Sequence, residues 1–188
     1  MFSPDRVDTA FVDRLLSKCT DHLSLLAAPA TLERAYDFNS DAFDSIFDVL
    51  RASVPCIVLD VPHMWTGWTR RTLISADEIL IVAAPDLANL RNAKNILDLL
   101  RGARPNDNRP HYCLNQVGVP KRPEIKAADF AKALETPPAA IIPFDPQTFG
   151  TAANNGQMIA EVAGRAEVRR SRNRLLSPFI DRIMRRPA

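Results

Sequence analysis

The strongest constraint on this chain is an alternation of two periodicities. Short, continuous apolar runs at residues 23–28, 56–61, 79–84, 112–117 and 140–143 each stop at Pro, Gly or Asn, as buried strands do. Between them, residues 9–18, 41–52, 68–75, 87–100 and 123–135 carry apolar side chains at helical spacing. In the fourth of these helices Leu87, Leu90, Ala93, Leu97 and Leu100 recur on one face, with Asp86 placed to cap it. The helix from Pro123 shows Ile125, Ala128, Phe130, Ala131 and Leu134, with proline in its first turn. Alternation of this kind predicts an α/β fold with a mostly parallel sheet and helices on both faces.

The 188 residues, 46% hydrophobic and 24% charged, suit one globular domain with a buried core. A polar connector at residues 102–110, GARPNDNRP, is a turn signal within it. No stretch of about 18 uninterrupted apolar residues occurs and the N-terminal residues form no signal peptide, which predicts a cytoplasmic protein. Cys19, Cys56 and Cys113 have no metal-site spacing to one another or to His22, His63 and His111. They read as buried free thiols, and no metal site is expected.

The net charge of +2 conceals an uneven distribution. Residues 165–188 hold eight arginines against Glu167 and Asp181, while the stretch before them is net acidic. Within that tail Leu175, Leu176, Phe179, Ile180, Ile183 and Met184 share one helical face, so residues 1–164 read as the body and 165–188 as a basic amphipathic segment of the same domain. Such a helix can lie on an anionic membrane or dock on its own domain.

In an open parallel sheet ligands bind beyond the carboxyl ends of the strands. The run CIVLD ends in Asp60, the position from which a strand offers a carboxylate to Mg²⁺; capping a turn before Pro62 is the competing role. Asn115, at the end of LNQVG, could pair with an adenine edge through its amide, or simply form a turn before Gly118. The run IIPFD offers Pro143, Phe144 and Asp145 as the other wall of a base pocket. Trp65 and Trp68, with Arg70 and Arg71, could stack on a base or bind a partner, against the simpler role of a helix start packed on the sheet. His63 is a candidate proton carrier or partner contact.

The series DVPH, WTRRTLISADEILIVAAPDLANLRNAKNILDLL, LNQVGVPKRPEI and IIPFD, in that order, resembles the CpaE/TadZ proteins of Flp (Tad) pilus assembly. These are MinD/ParA-like deviant-Walker ATPases or their degenerate relatives. The resemblance implies a partial P-loop NTPase fold, with Asp60, Pro62 and the loop after them as the switch region. It implies that Asn115, Pro143, Phe144 and Asp145 line the adenine pocket, that ATP and Mg²⁺ are the cofactors of the family, and that the protein dimerises around nucleotide.

Such proteins carry a receiver-like domain and a glycine-rich phosphate loop ahead of this region, and the sequence contains no G-x-x-x-x-G-K-[ST]. Without backbone N–H groups and a lysine around the β and γ phosphates, the chain alone is expected not to hydrolyse ATP. The missing central strand should leave its neighbours with unpaired edges, as in a chain truncated after the phosphate loop. The function implied is a localisation and scaffold component of pilus assembly, contacting secretion-machinery proteins at the inner membrane or cell pole. An ATP-driven dimerising switch is the alternative when a phosphate loop is supplied, and a DNA-binding partition protein, resting on the arginine-rich tail, ranks last.

Overall fold

In the computed structural model, residues 8–27 and 40–162 are described, with nothing said of the side chains of residues 40–42. The chain divides into two compact units at Thr72/Leu73.

The first unit opens with α1 (Thr9–Leu15), capped by Asp8, whose carboxylate accepts from Phe11 N at 2.7 Å. It continues into an antiparallel hairpin of β1 (Leu16–Thr20) and β2 (Leu23–Leu26), then α2 (Ser40–Ser53) and α3 (Gly67–Ser75), whose last residues pass into the second unit. Helices α1 and α2 pack together, and Val12 and Leu50 are buried. Phe43 meets the edge of the Trp68 ring at 5.7 Å, and Arg71 reaches Asp44 at 3.7 Å. Trp68, at the start of α3, thus packs on α2 rather than on the sheet, whereas Trp65 is 49% exposed.

The second unit is built on a parallel sheet in the order β3 (Leu80–Ala83), β4 (His111–Val117), β5 (Ala140–Pro143). Register pairs Ile81 with Tyr112 and Ala83 with Leu114, so these four side chains share one face. Helices α4 (Leu87–Ala103) and α5 (Ala127–Leu134) cover it. Ala93, Leu97, Phe130 and Leu134 complete the core, with Phe130 stacked on Tyr112 at 6.3 Å between ring centroids. The Tyr112 hydroxyl donates to the Thr136 carbonyl at 3.0 Å, which satisfies the one polar atom of that ring. On the opposite face Leu80 and Val82 are 39% and 58% exposed. Helices α6 (Pro146–Asn155) and α7 (Ile159–Val162) follow.

Several expectations are corrected. Residues 56–61 form no strand: they carry no ladder hydrogen bond, and Val58 is 91% exposed. A strand needs a neighbour for its N–H and C=O groups, and among the described residues this segment has none. Residues 23–28 yield only β2, in an antiparallel hairpin rather than the parallel sheet, and the first helix stops at Leu15 because the chain turns into β1. The connector at 102–110 begins later, since α4 runs through Gly102 to Ala103. Leu87, at the start of the predicted apolar stripe, is 72% exposed. Two of the three thiols, Cys19 and Cys56, are exposed, and Cys113 alone is buried. The basic tail at 165–188 lies outside the described residues.

Helix α5 starts at Ala127 rather than Pro123. Residues before it are held in a loop, where the Glu124 carboxylate folds back on Gly118 and Ile125 N donates to the Pro85 carbonyl at 2.8 Å. Helix α6 has no counterpart in the sequence reading, although Asp145 caps it, Pro146 takes its first position and Gly156, at φ 62°, ends it.

Candidate functional site

Because β3, β4 and β5 are parallel, the loops that follow them lie along one edge of the sheet. Beyond β3, Asp86 caps α4. Its carboxylate accepts from Asn89 N at 2.8 Å and from Asn89 Nδ2 at 3.0 and 2.9 Å, and these bonds hold its carboxyl below the usual carboxylate range.

Beyond β4 comes the most constrained loop of the molecule. Gln116, Gly118 and Lys121 have φ of 56°, 88° and 62°. For the two that are not glycine the left-handed region costs about 1–2 kcal/mol each, so something must hold them there. Glu124 and Arg122 do so. The Glu124 carboxylate accepts from Gly118 N at 3.0 Å through both oxygens and from Val119 N at 3.1 Å. Arg122 Nη2 donates to the same carboxylate at 2.9 Å and also to the Gln116 carbonyl. The Gly118 N–H, then the arginine, draw the Glu124 pKa down.

Beyond β5, Asp145 caps α6, with Oδ1 accepting from Thr148 N at 3.0 Å. Hydrogen bonds from the Thr148 hydroxyl and backbone N–H lower its pKa. The two loops are tied by Phe144 N donating to the Val117 carbonyl at 2.8 Å.

Of the residues expected to line a base pocket, Asn115, Pro143, Phe144 and Asp145 all fall on this edge. Asn115 is half-buried, and its Oδ1 accepts from Gln116 N at 2.9 Å, while its Nδ2 makes no hydrogen bond among the described residues. One amide group thus serves the turn and the other is left for a ligand acceptor. Pro143 and Phe144 are exposed, and Asp145 is committed to its helix. Asp60 lies in the first unit, exposed, in a segment that is neither helix nor strand; His63 is exposed in the same segment. Among the described residues no group of three His, Cys, Asp or Glu side chains is placed to hold a metal ion.

The edge fits a nucleotide only in part. Asn115 Nδ2 and the exposed Phe144 suit the base. The backbone N–H groups of Asn89 in α4, Thr148 in α6, Gly118 and Val119 are already taken by Asp86, Asp145 and Glu124, so none of these four is open to a phosphate. The sequence reading missed the Arg122–Glu124 pair. The signal lies in the spacing of Gly118, Arg122 and Glu124 within one short loop, a stretch that the helix expected from Pro123 obscures.

The chain is similar to the crystal structure of a ParA family ATPase from Chlorobium tepidum TLS, with a TM-score of 0.74, 22% identity, and coverage of 96% of this chain and 71% of that one. No protein-family model matches the chain, and neither does any curated protein. The architecture is therefore an α/β fold like that of this ParA family ATPase. No helix among the described residues is long and apolar enough to cross a membrane.

Proposed function

We propose that this chain is a localisation and scaffold component of Flp (Tad) pilus assembly, similar to the CpaE/TadZ proteins, and that it does not hydrolyse ATP by itself. The observation that carries this reading is the occupation of the anion-accepting N–H groups along the sheet edge by the chain's own carboxylates, in a fold whose relatives include a ParA family ATPase. With no lysine-bearing glycine-rich loop in the sequence, nothing neutralises a transferring phosphoryl group. What the edge retains is a base-side wall of Asn115, Pro143 and Phe144, ended by Asp145.

In this role residues 1–164 are the nucleotide-binding-type body, which pairs with a second copy and meets secretion-machinery proteins in the cytoplasm. Residues 165–188 hold it at the inner membrane or cell pole through their arginines and apolar face. The alternative is an ATP-dependent dimerising switch, in which Asp60 serves Mg²⁺ once a phosphate loop is supplied; DNA binding ranks last.

Replacement of the chromosomal copy separates the first two. Under the scaffold reading, loss of the chain abolishes surface pili while Asp60→Ala leaves them at wild-type levels. Loss of pili in Asp60→Ala, with the protein present at normal abundance, would favour the switch.

A further inference from the structure

We infer that Arg122 and Glu124 are positioning residues that hold the base-side wall in its ligand-accepting form. The inference rests on the base pocket proposed above, and adds to it two residues that never touch the ligand themselves.

Three observations carry it. The backbone immediately after Asn115 is left-handed at Gln116, Gly118 and again at Lys121, a path that a free loop does not keep. Four of the bonds that anchor that path involve the same two side chains. Arg122 Nη2 donates to the Gln116 carbonyl, directly beside Asn115, and the Glu124 carboxylate takes the Gly118 and Val119 N–H groups while accepting from Arg122. The loop so fixed then sets the opposite wall, because Val117 offers its carbonyl to Phe144 N at 2.8 Å and pairs with Pro143 in the strand register.

The pair is partly sheltered, with Arg122 and Glu124 side chains 28% and 19% exposed, so water competes weakly for these bonds. Arg122 is also a neighbour of Asp86 at the start of α4, whose carboxyl it helps keep ionised. The Arg122 hydrogen bonds to Gln116 and Glu124 both come from Nη2, while its buried Nε has no partner among the described residues.

When the clamp is cut, the loop spreads over other conformations, and apparent affinity falls with the fraction that stays competent. A competent fraction of roughly one tenth lowers affinity about tenfold.

The test uses the full chain and ligand-observed NMR with millimolar adenosine and guanosine. It compares wild type, Arg122→Ala, Arg122→Lys and Glu124→Gln, with amide hydrogen exchange at Gly118 and Val119 recorded in parallel. The expected result is weak adenosine binding by the wild type with preference over guanosine. Arg122→Ala and Glu124→Gln should lose about tenfold in affinity, together with the preference and the amide protection, and Arg122→Lys should recover part of all three. Adenosine binding and preference unchanged in both Arg122→Ala and Glu124→Gln would overturn the positioning role while leaving the base pocket standing. A wild type that binds neither nucleoside, with both amides protected, would overturn the base pocket itself and the positioning role with it.

Discussion

Removing the Phe130 ring should destabilise the second unit more than any other single truncation of α5. The side chain is completely buried, stacks on Tyr112, and sits among Ala83, Leu97, Leu114 and Leu134. Burial of a phenylalanine replaced by alanine costs about 3–5 kcal/mol, and the lost aromatic pair lies within that range. Because the surrounding side chains are held by the strand register, the cavity closes poorly, and a loss of about 4 kcal/mol is expected for Phe130→Ala. At a urea slope of about 2 kcal/mol per molar, the unfolding midpoint falls by about 2 M. Far-UV circular dichroism is the suitable probe, since both tryptophans, Trp65 and Trp68, lie in the first unit. Leu87→Ala is the matched control: with Leu87 mostly exposed, its change should stay within about 0.5 kcal/mol. A Phe130→Ala loss below about 1 kcal/mol, or one equal to the control, would refute the packing assigned to α5 and the sheet.

Four further outcomes follow from particular residues. Asp86→Ala removes the cap of α4 and should cost about 1 kcal/mol by chemical denaturation. The carboxyls of Asp86, Asp145 and Glu124 are all held below their ordinary values of 3.8, 3.8 and 4.5, so their contribution is complete above those values and is lost as pH falls through the lowered ones; wild type should weaken over that acid window more steeply than an Asp86→Asn, Glu124→Gln, Asp145→Asn triple variant. Gly156→Ala meets no neighbouring atom but forces a Cβ into the left-handed region at the end of α6, and should cost about 1 kcal/mol in a thermal melt. A thiol reagent should titrate two cysteines quickly in the native protein, Cys19 and Cys56, whereas Cys113 waits for unfolding because burial both shields it and raises its pKa.

The parts of the fold legible in the sequence are those whose signals are local. Asp86 announces the start of α4 because a short acid before an apolar helical stripe has one structural use, and β4 and β5 read correctly because they are buried runs bounded by turn residues. Residues 56–61 carry the same apolar signal, yet no strand forms, since pairing depends on a neighbour that a linear pattern does not reveal. The start of α5 was misplaced for a related reason. Proline followed by glutamate is a common first helical turn, but here the glutamate side chain is used three-dimensionally, on the backbone of residues six and five positions earlier. Asn115, Pro143, Phe144 and Asp145 fall where strands end, a placement the topology preserves, whereas the Arg122–Glu124 contacts beside them depend on left-handed backbone at Gln116 and Lys121, residue types that seldom adopt it.

The central claim is that this sheet edge keeps a base-side wall without a triphosphate cradle, and calorimetric titration of the full chain with ATP and Mg²⁺, combined with phosphate-release measurement, tests it most directly. The account predicts no phosphate release and no binding tighter than the millimolar range; micromolar binding by the chain alone, or turnover abolished by Asp60→Ala, would contradict it.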